Sequence, residues 1–212
     1  MVKVSTSLLS VNKDILIDSI KNLNETNTDF IHYDVMDGQF VNNTFFPNDE
    51  INIINKYVEK PLDVHLMVND PTEYINFYKN LNPTYITIHY EIENYRKYIN
   101  MIKENNIKVG ISIKPNTLIE ELYEILDEID LVLIMSVEPG KGGQTFNEDS
   151  LIKIKKLRKY IDVNQLNTVI EVDGGINDIT SKQCVSSGAD ILVCGSYITN
   201  SDDYQEQINK LR

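Results

Sequence analysis

The chain has 212 residues, of which 20 are basic and 32 acidic, so its formal net charge is −12, and 42% of its residues are hydrophobic. This composition is typical of a globular domain large enough to bury a core, while the negative charge argues against nucleic acid and anionic membranes as partners. No apolar run approaches the roughly 20 residues of a membrane-spanning helix, no secretory signal pattern opens the chain, and two cysteines are too few for a disulfide framework, so we expect a cytoplasmic protein.

Short runs rich in Val and Ile alternate with longer amphipathic patterns along the whole chain. Strands are predicted at Val2–Leu8, Phe30–Val35, Leu62–Met67, Tyr85–His89, Val109–Ile113, Leu131–Val137, Val169–Val172 and Ile191–Cys194. Between them, amphipathic helices are predicted at sites that include Asp14–Asn22, Asn94–Asn105, Leu118–Glu128 and Glu148–Tyr160. Such strict alternation of strand and helix implies a parallel sheet.

The number of repeats favours a closed barrel over an open sheet. Eight units of about 26 residues suit a (β/α)8 TIM barrel, an α/β fold in which residues 1–212 form one compact domain. An open doubly wound sheet of the flavodoxin or Rossmann type is the alternative. It is disfavoured because Ser5-Thr6-Ser7-Leu8-Leu9-Ser10, and not a glycine-rich dinucleotide fingerprint, follows the first strand.

All three histidines fall at or near the carboxyl ends of predicted strands, where a barrel carries its active site. Side chains alternate along a strand, so His32 and Asp34 share one face, and His65 takes a similar place on the next strand. Asp173 stands at the tip of the seventh strand. Two imidazoles and two carboxylates that converge in this way suit Zn²⁺, Fe²⁺, Mn²⁺ or Co²⁺. His89 is expected to orient its neighbours at the barrel mouth.

The inward-facing carboxylates also have a plainer interpretation. Asp34 and Asp173 are equally able to cap loops or the helices that follow. Glu171 shares a face with Asp173 and would need a partner inside the barrel, for which Lys3 is the candidate.

Three methionines, Met36, Met67 and Met135, repeat at the ends of strands two, three and six. Methionine usually fills gaps in a core. Grouped at one mouth, these side chains would form an apolar lining that lowers the dielectric around developing charge.

Glycines gather in the loops after the last three strands. Gly174-Gly175 follows strand seven and Gly195-Ser196 follows strand eight, where barrels commonly hold phosphate on backbone N–H groups. The loop 137–144 after strand six is either a flexible turn or a mobile lid over substrate.

In order and spacing, these segments resemble the ribulose-phosphate 3-epimerase family over nearly the whole chain. The segments are His32-x-Asp34-x-Met36-Asp37-Gly38, Asp63-Val-His65-Leu-Met67-Val, Met135-Ser-Val-Glu-Pro139-Gly140-x-Gly142-Gly143-Gln144, Glu171-Val-Asp173-Gly174-Gly175-Ile and Gly188-Ala-Asp-x-x-Val-x-Gly195-Ser196. The resemblance implies a barrel of the ribulose-phosphate-binding type. It also implies interconversion of D-ribulose 5-phosphate and D-xylulose 5-phosphate in the pentose phosphate pathway.

The resemblance further implies a role for individual residues. One divalent metal ion, Zn²⁺ or Fe²⁺ ahead of Mn²⁺ or Co²⁺, would be held by His32, Asp34, His65 and Asp173. Asp34 and Asp173 would also form the acid/base pair. Substrate would contact Ser7, His65, Met36, Met67, Met135, Gly140, Gly142, Gly143, Gln144 and Asp173. Its phosphate would contact Gly142, Gly143, Gly174, Gly175, Gly195 and Ser196, and the protein would be a homo-oligomer.

The chemistry of such a reaction asks for this arrangement. Inverting a carbon next to a ketone removes a proton from one face and returns one to the other, which two carboxylates can do as base and acid. The intermediate is a 2,3-enediolate, whose charge a metal ion can stabilise.

Two loops depart from the family pattern. In the segment 39–47, Phe46 or Pro47 stands where the pattern has glycine, which leaves the substrate and subunit contacts of that loop open. Lys141 stands where the family typically has an aromatic residue in the lid, a replacement that would alter how the lid closes.

Three other functions compete with this interpretation. An epimerase acting on D-allulose 6-phosphate would carry the same metal residues, although Gly174-Gly175-Ile176 favours the pentose enzyme. A decarboxylase of the orotidine-phosphate type is set aside because the segment 63–68 lacks the lysine and the second aspartate of that class. A non-catalytic sugar-phosphate-binding barrel would have no reason to bind metal, so metal content on purification separates it from an enzyme.

Overall fold

Eight parallel strands close into a barrel in the computed structural model, which describes residues 1–45 and 48–212 of the chain. The strands are β1 (Lys3–Ser7), β2 (Phe30–Asp37), β3 (Leu62–Met67), β4 (Tyr85–His89), β5 (Lys108–Ile113), β6 (Leu131–Met135), β7 (Val169–Asp173) and β8 (Ile191–Cys194). Each strand pairs with the next in sequence, and β1 also pairs with β8, which closes the sheet. The predicted (β/α)8 barrel is therefore confirmed, and the open sheet is excluded.

Helices follow most of the strands and cover the outside of the barrel. They are α1 (Leu16–Glu25), α2 (Asn48–Tyr57), α3 (Thr72–Tyr78), α4 (Tyr95–Lys103), α5 (Asp149–Val163), α6 (Thr180–Ser187), α7 (Ser196–Thr199) and α8 (Tyr204–Lys210). The helices predicted at Asp14–Asn22, Asn94–Asn105 and Glu148–Tyr160 correspond to α1, α4 and α5, which differ from them by a few residues at their ends.

The segment between β5 and β6 is different, and the α-helix predicted at Leu118–Glu128 is wrong. A 3-10 helix, Ile119–Leu122, is followed by turns in which the N–H of Ile125 donates to the carbonyl of Leu122 (2.9 Å). The buried Ile119, Leu122 and Ile125 recur every three residues. This is the period of a 3-10 helix, and it lays the three side chains along one line facing the barrel.

Both faces of the sheet are buried, and alternation along each strand decides which side chains enter the barrel. On β3, Leu62, Val64 and Leu66 pack outward in the main hydrophobic core under the helices. Asp63 and His65 occupy the alternate positions and are also buried, which places them in the interior. A separate apolar cluster lies in the barrel interior, with Phe30, Tyr85, Leu131, Leu133 and Ile191 among its members.

Two features bear on the expectations drawn from composition. None of the helices in the described part of the chain combines the length and the apolar character needed to cross a lipid bilayer. Cys184 and Cys194 are free thiols, and both are buried.

Candidate active site

Strands β2, β3 and β7 bring the four predicted metal-binding side chains to one point near their carboxyl ends. One ligand atom from each of His32, Asp34, His65 and Asp173 lies within 4.8 Å of the others. Asp34 and His65 are direct neighbours in the register of β2 and β3, which explains part of this convergence. His32, Asp34 and His65 are buried, while Asp173 at the strand tip is half-buried.

Asp34 contacts three polar side chains at this point. Its Oδ1 lies 3.1 Å from His65 Nδ1 and 3.3 Å from His32 Nε2. Its Oδ2 accepts a hydrogen bond from the Ser7 hydroxyl (3.0 Å), which reaches across from β1. Ser7 therefore orients this carboxylate as well as facing the cleft above it.

The two aspartates of the cluster have opposite pKa shifts. Burial raises the pKa of Asp173 to about 6, helped by the negative charge of Asp34 nearby. Burial would also raise the pKa of Asp34, but its electrostatic interactions with the imidazoles of His32 and His65 outweigh that effect and hold the pKa far below its usual range. The environment thus keeps Asp34 ionised and lets Asp173 exchange a proton near neutral pH.

His32 supplies a test of whether the cluster fits a cation. Its Nδ1 lies 2.7 Å from Asp63 Oδ2, so a carboxylate holds the back of the ring. Its Nε2 is buried and makes no hydrogen bond, although Asp34 Oδ1 is 3.3 Å away. Burial opposes a charge on His32, but Asp34 and Asp63 outweigh that effect and raise its pKa, so the site attracts positive charge. A buried imidazole nitrogen that makes no hydrogen bond suits a divalent cation when one carboxylate holds the far side of the ring and other carboxylates lie beside the nitrogen.

A second polar layer beneath the cluster was only partly anticipated from the sequence. Asp63 accepts a hydrogen bond from Ser5 (2.8 Å) in addition to its contact with His32. Burial, followed by the charge of Asp63, raises the pKa of Glu171 well above its usual value, so Glu171 keeps its proton while it faces Asp63. Both acids could have been predicted from side-chain alternation, because Asp63 shares the inward face of β3 with His65, and Glu171 shares that of β7 with Asp173.

The proposed pairing of Glu171 with Lys3 is wrong. Lys3 is exposed, and its ammonium lies 5.4 Å from the centre of the Phe30 ring. At the open amino-terminal end of β1 this ammonium keeps its hydration, which a buried partner of Glu171 would lose.

A cleft lies over the cluster, between the loops at the carboxyl ends of the strands. The predicted substrate and phosphate residues that line it are Ser7, Met67, Met135, Gly140, Gly142, Gly143, Gln144, Asp173, Gly174, Gly175, Gly195 and Ser196. Met36 packs against Val41 and Met67 in a small apolar cluster, and His65 is completely buried next to Asp34. Leu9, Ser10 and Ile176 also line the cleft and were missed, although their positions after β1 and β7 could have suggested them.

The loop after β6 lies folded over this cleft. The Gln144 side chain donates hydrogen bonds to the carbonyls of Glu138 and Lys141 (both 2.8 Å), which tie the loop to itself. Gly142 lies so close to the loop after β1 that a Cβ there would be 2.8 Å from Ser10 Oγ. Residues 137–144 of this loop line the cleft, and this segment is called the lid below.

The other loop that departs from the family pattern, residues 39–47, contacts this lid. Asn43 donates a hydrogen bond to the carbonyl of Gly140 (2.7 Å), and the lid residue Lys141 has an exposed position. Phe46 and Pro47, where the chain departs from the family pattern, lie outside the described residues.

The loop after β7 is closely fitted to the segment that follows the lid. Gly175 has φ +62°, and a Cβ there would lie 2.3 Å from the backbone nitrogen of Phe146. Ser196 begins α7 after β8, so its N–H has no acceptor within that helix. Glycine at 174 and 175 thus lets backbone N–H groups approach the cleft, which Gly195 and Ser196 of the loop after the neighbouring strand β8 also line.

The chain matches a known family over most of its length. The model of the Ribulose-phosphate 3 epimerase family matches residues 3–199. Ribulose-phosphate 3-epimerase of Bacillus subtilis is 35% identical and covers 100% of this chain and 99% of its own. The Helicobacter pylori protein of the same name is 37% identical, covering 99% of this chain and 96% of its own.

Solved structures with lower identity share the fold alone. The 3-hexulose-6-phosphate synthase of Salmonella typhimurium is 18% identical with a TM-score of 0.69, covering 99% of this chain and 96% of that one. Tryptophan synthase of Mycobacterium tuberculosis is 12% identical with a TM-score of 0.71, covering 99% and 91%. Because the family model and the sequence relatives both match nearly the whole of this chain, the chain belongs to the ribulose-phosphate 3-epimerase family.

Proposed function

We propose that this enzyme interconverts D-ribulose 5-phosphate and D-xylulose 5-phosphate by metal-dependent two-carboxylate catalysis. The observation that carries the proposal is the pair Asp34 and Asp173 at the floor of a covered cleft, beside two imidazoles. A cytoplasmic homo-oligomer is the expectation that accompanies this function.

Proton transfer is assigned to the two aspartates. In one direction Asp34 takes the proton from C3 on one face of the substrate, and Asp173 gives a proton to the other face. The reverse reaction exchanges the two roles. Their opposite pKa shifts support this assignment, because an acid and a base must hold different protonation states at the same pH. The Ser7 hydroxyl, 3.0 Å from Asp34 Oδ2, keeps that carboxylate in place and is available to the substrate.

His32, Asp34, His65 and Asp173 are proposed to hold one divalent cation, Zn²⁺ or Fe²⁺ in preference to Mn²⁺ or Co²⁺. When bound, such an ion supplies Lewis-acid stabilisation of the negative charge that develops on the substrate oxygens. The buried Nε2 of His32, which makes no hydrogen bond, supports this ligand set.

The rest of the cleft is assigned to substrate binding. Met67 and Met135 give it an apolar wall, and the lid keeps water out while charge develops. The phosphate is assigned to the backbone N–H groups of the loops at 174–175 and 195–196, together with those of Gly142 and Gly143. No cluster of basic side chains is needed for this mode of binding.

Replacing Gly175 with alanine is expected to raise the KM for D-ribulose 5-phosphate about ten-fold, with a smaller change in kcat. The added Cβ would lie 2.3 Å from the Phe146 nitrogen, so the loop must move, and the proposed phosphate contacts with it. Steady-state kinetics measure both constants. Gly188→Ala is the control, since that glycine also has a positive φ (+110°) but lies outside the cleft. A fall in kcat at unchanged KM would contradict the phosphate assignment.

The substrate is tested by a coupled assay on D-ribulose 5-phosphate beside D-allulose 6-phosphate. The hexose has one more carbon between C3 and the phosphate, while the distance from the carboxylates to the glycine loops is set by the barrel. We expect kcat/KM to favour the pentose by at least about ten-fold. Faster turnover of the hexose would move the assignment to the allulose enzyme. Turnover of neither, with retained phosphate binding, would favour a non-catalytic sugar-phosphate-binding barrel.

A further inference from the structure

Behind His65 a hydrogen-bonded chain leads from the cluster to the rim of the barrel. His65 Nε2 lies 3.0 Å from His89 Nε2, and His89 Nδ1 lies 3.1 Å from Glu91 Oε2. Both imidazoles are completely buried, whereas the Glu91 side chain is 21% exposed. The chain thus connects a proposed cation ligand with an acidic residue that touches neither the cleft nor the cation cluster.

The carboxylate of Glu91 is fixed in orientation by the loop after β5. Its Oε1 accepts hydrogen bonds from the backbone N–H of Lys114 (2.7 Å) and from the hydroxyl of Thr117 (2.5 Å). The other oxygen, Oε2, is left to face His89. Each oxygen of this carboxylate therefore has a defined and different set of partners.

The hydrogen-bonding rules for carboxylates and imidazoles determine which nitrogen atoms of His65 and His89 carry a hydrogen. An ionised carboxylate only accepts, so His89 Nδ1 must carry the hydrogen that faces Glu91. A neutral ring, favoured for the buried His89, has one N–H, so its Nε2 is an acceptor. His65 Nε2 must then carry the hydrogen between the two rings. This leaves the lone pair of His65 on Nδ1, the nitrogen that lies 3.1 Å from Asp34 Oδ1.

We propose that Glu91 is a positioning residue of the cation site, which acts through His89 to fix the tautomer in which His65 Nδ1 is free to bind a metal ion. The proposal rests on the cation site assigned under the proposed function and adds the residue that selects the ligand atom. His32 has the same arrangement in shorter form, because Asp63 directly faces its Nδ1 and leaves Nε2 toward Asp34. Partners of this kind commonly orient metal-binding histidines and increase metal affinity.

Glu91→Gln reverses the hydrogen-bond pattern at almost constant shape. The glutamine oxygen is expected to stay with the two donors, Lys114 N–H and the Thr117 hydroxyl, because an NH₂ group there would oppose both. The NH₂ group then faces His89 Nδ1, which must become an acceptor. His89 donates from Nε2 instead, and His65 is protonated on Nδ1, where it can no longer bind the ion.

Two measurements test this inference on the full chain. Zn²⁺ is titrated into metal-free protein in competition with a chromophoric chelator, and we expect Glu91→Gln to bind it about 10- to 100-fold more weakly. Two-bond ¹H–¹⁵N NMR reports the tautomers, and it is simple to assign because the chain contains three histidines. For the unsubstituted Zn²⁺ protein we expect N–H groups at His89 Nδ1 and His65 Nε2, and for Glu91→Gln an N–H group at His89 Nε2.

The matched control is Glu93→Gln, an exposed acid two positions away, which is expected to keep the affinity and the tautomers of the unsubstituted protein. Unchanged affinity in Glu91→Gln, or weaker affinity with His89 still protonated on Nδ1, would overturn this inference alone. So would an N–H group at His89 Nε2 in the unsubstituted Zn²⁺ protein, which needs no variant to fold. Failure of the unsubstituted protein to bind Zn²⁺ would instead overturn the proposed cation site, and this inference with it.

Discussion

Asp173→Asn is expected to lower kcat for epimerisation about 1,000-fold, because an amide can neither take nor give the proton that the reaction moves. Asparagine has nearly the same shape, so the half-buried position at the tip of β7 should keep its packing. Asp34 remains in the variant and is held ionised by His32 and His65. One of the two proton transfers should therefore survive.

Deuterium exchange separates the two transfers. In D₂O, Asp173→Asn is expected to exchange the C3 hydrogen of one epimer without forming the other, and Asp34→Asn to exchange that of the other epimer. NMR of the recovered sugar phosphates measures both outcomes. Asp202→Asn, an exposed acid of α8's preceding turn, is the control and should behave as the unsubstituted protein. Full epimerase activity in Asp173→Asn, or exchange from neither epimer at full metal content, would contradict the assigned pair.

Removal of the cation is the second large effect. A strong chelator is expected to lower kcat about 1,000-fold or more, since the Lewis acid contributes several kcal/mol to stabilising the charged intermediate. Activity should return when a divalent cation is added to the metal-free protein. Separate addition of Zn²⁺, Fe²⁺, Mn²⁺ and Co²⁺ then ranks the ions that the site accepts.

Loss of activity must be distinguished from loss of the fold. The hydrophobic core under the helices does not involve the cation residues, so circular dichroism of the chelated protein should remain that of the barrel. Protein that keeps its full activity after complete metal removal would contradict the metal-dependent mechanism. That result would not contradict the assignment of Asp34 and Asp173 as acid and base, which the deuterium exchange experiment tests separately.

The sequence alone indicated the fold and the strand ends at which the four predicted cation-binding side chains meet, because both depend on local periodicity. Alternation along a strand placed His32 and Asp34 on one face, and the order of strands placed the glycine loops after β7 and β8. These inferences involve residues near one another in the chain. The resemblance to a family added roles, and the family itself is borne out by the match over residues 3–199.

The tertiary structure decided which side chains meet across the barrel. Glu171 faces Asp63 and not Lys3, although 108 positions separate the two acids, because only closure of the sheet brings β3 and β7 to one interior. The chain from His65 through His89 to Glu91 likewise depends on the register of β3 and β4 and on the loop that holds Glu91. The 3-10 segment after β5 escaped prediction for a related reason. Spacings of three and four residues look alike in a short sequence, and the fit against the barrel selects between them.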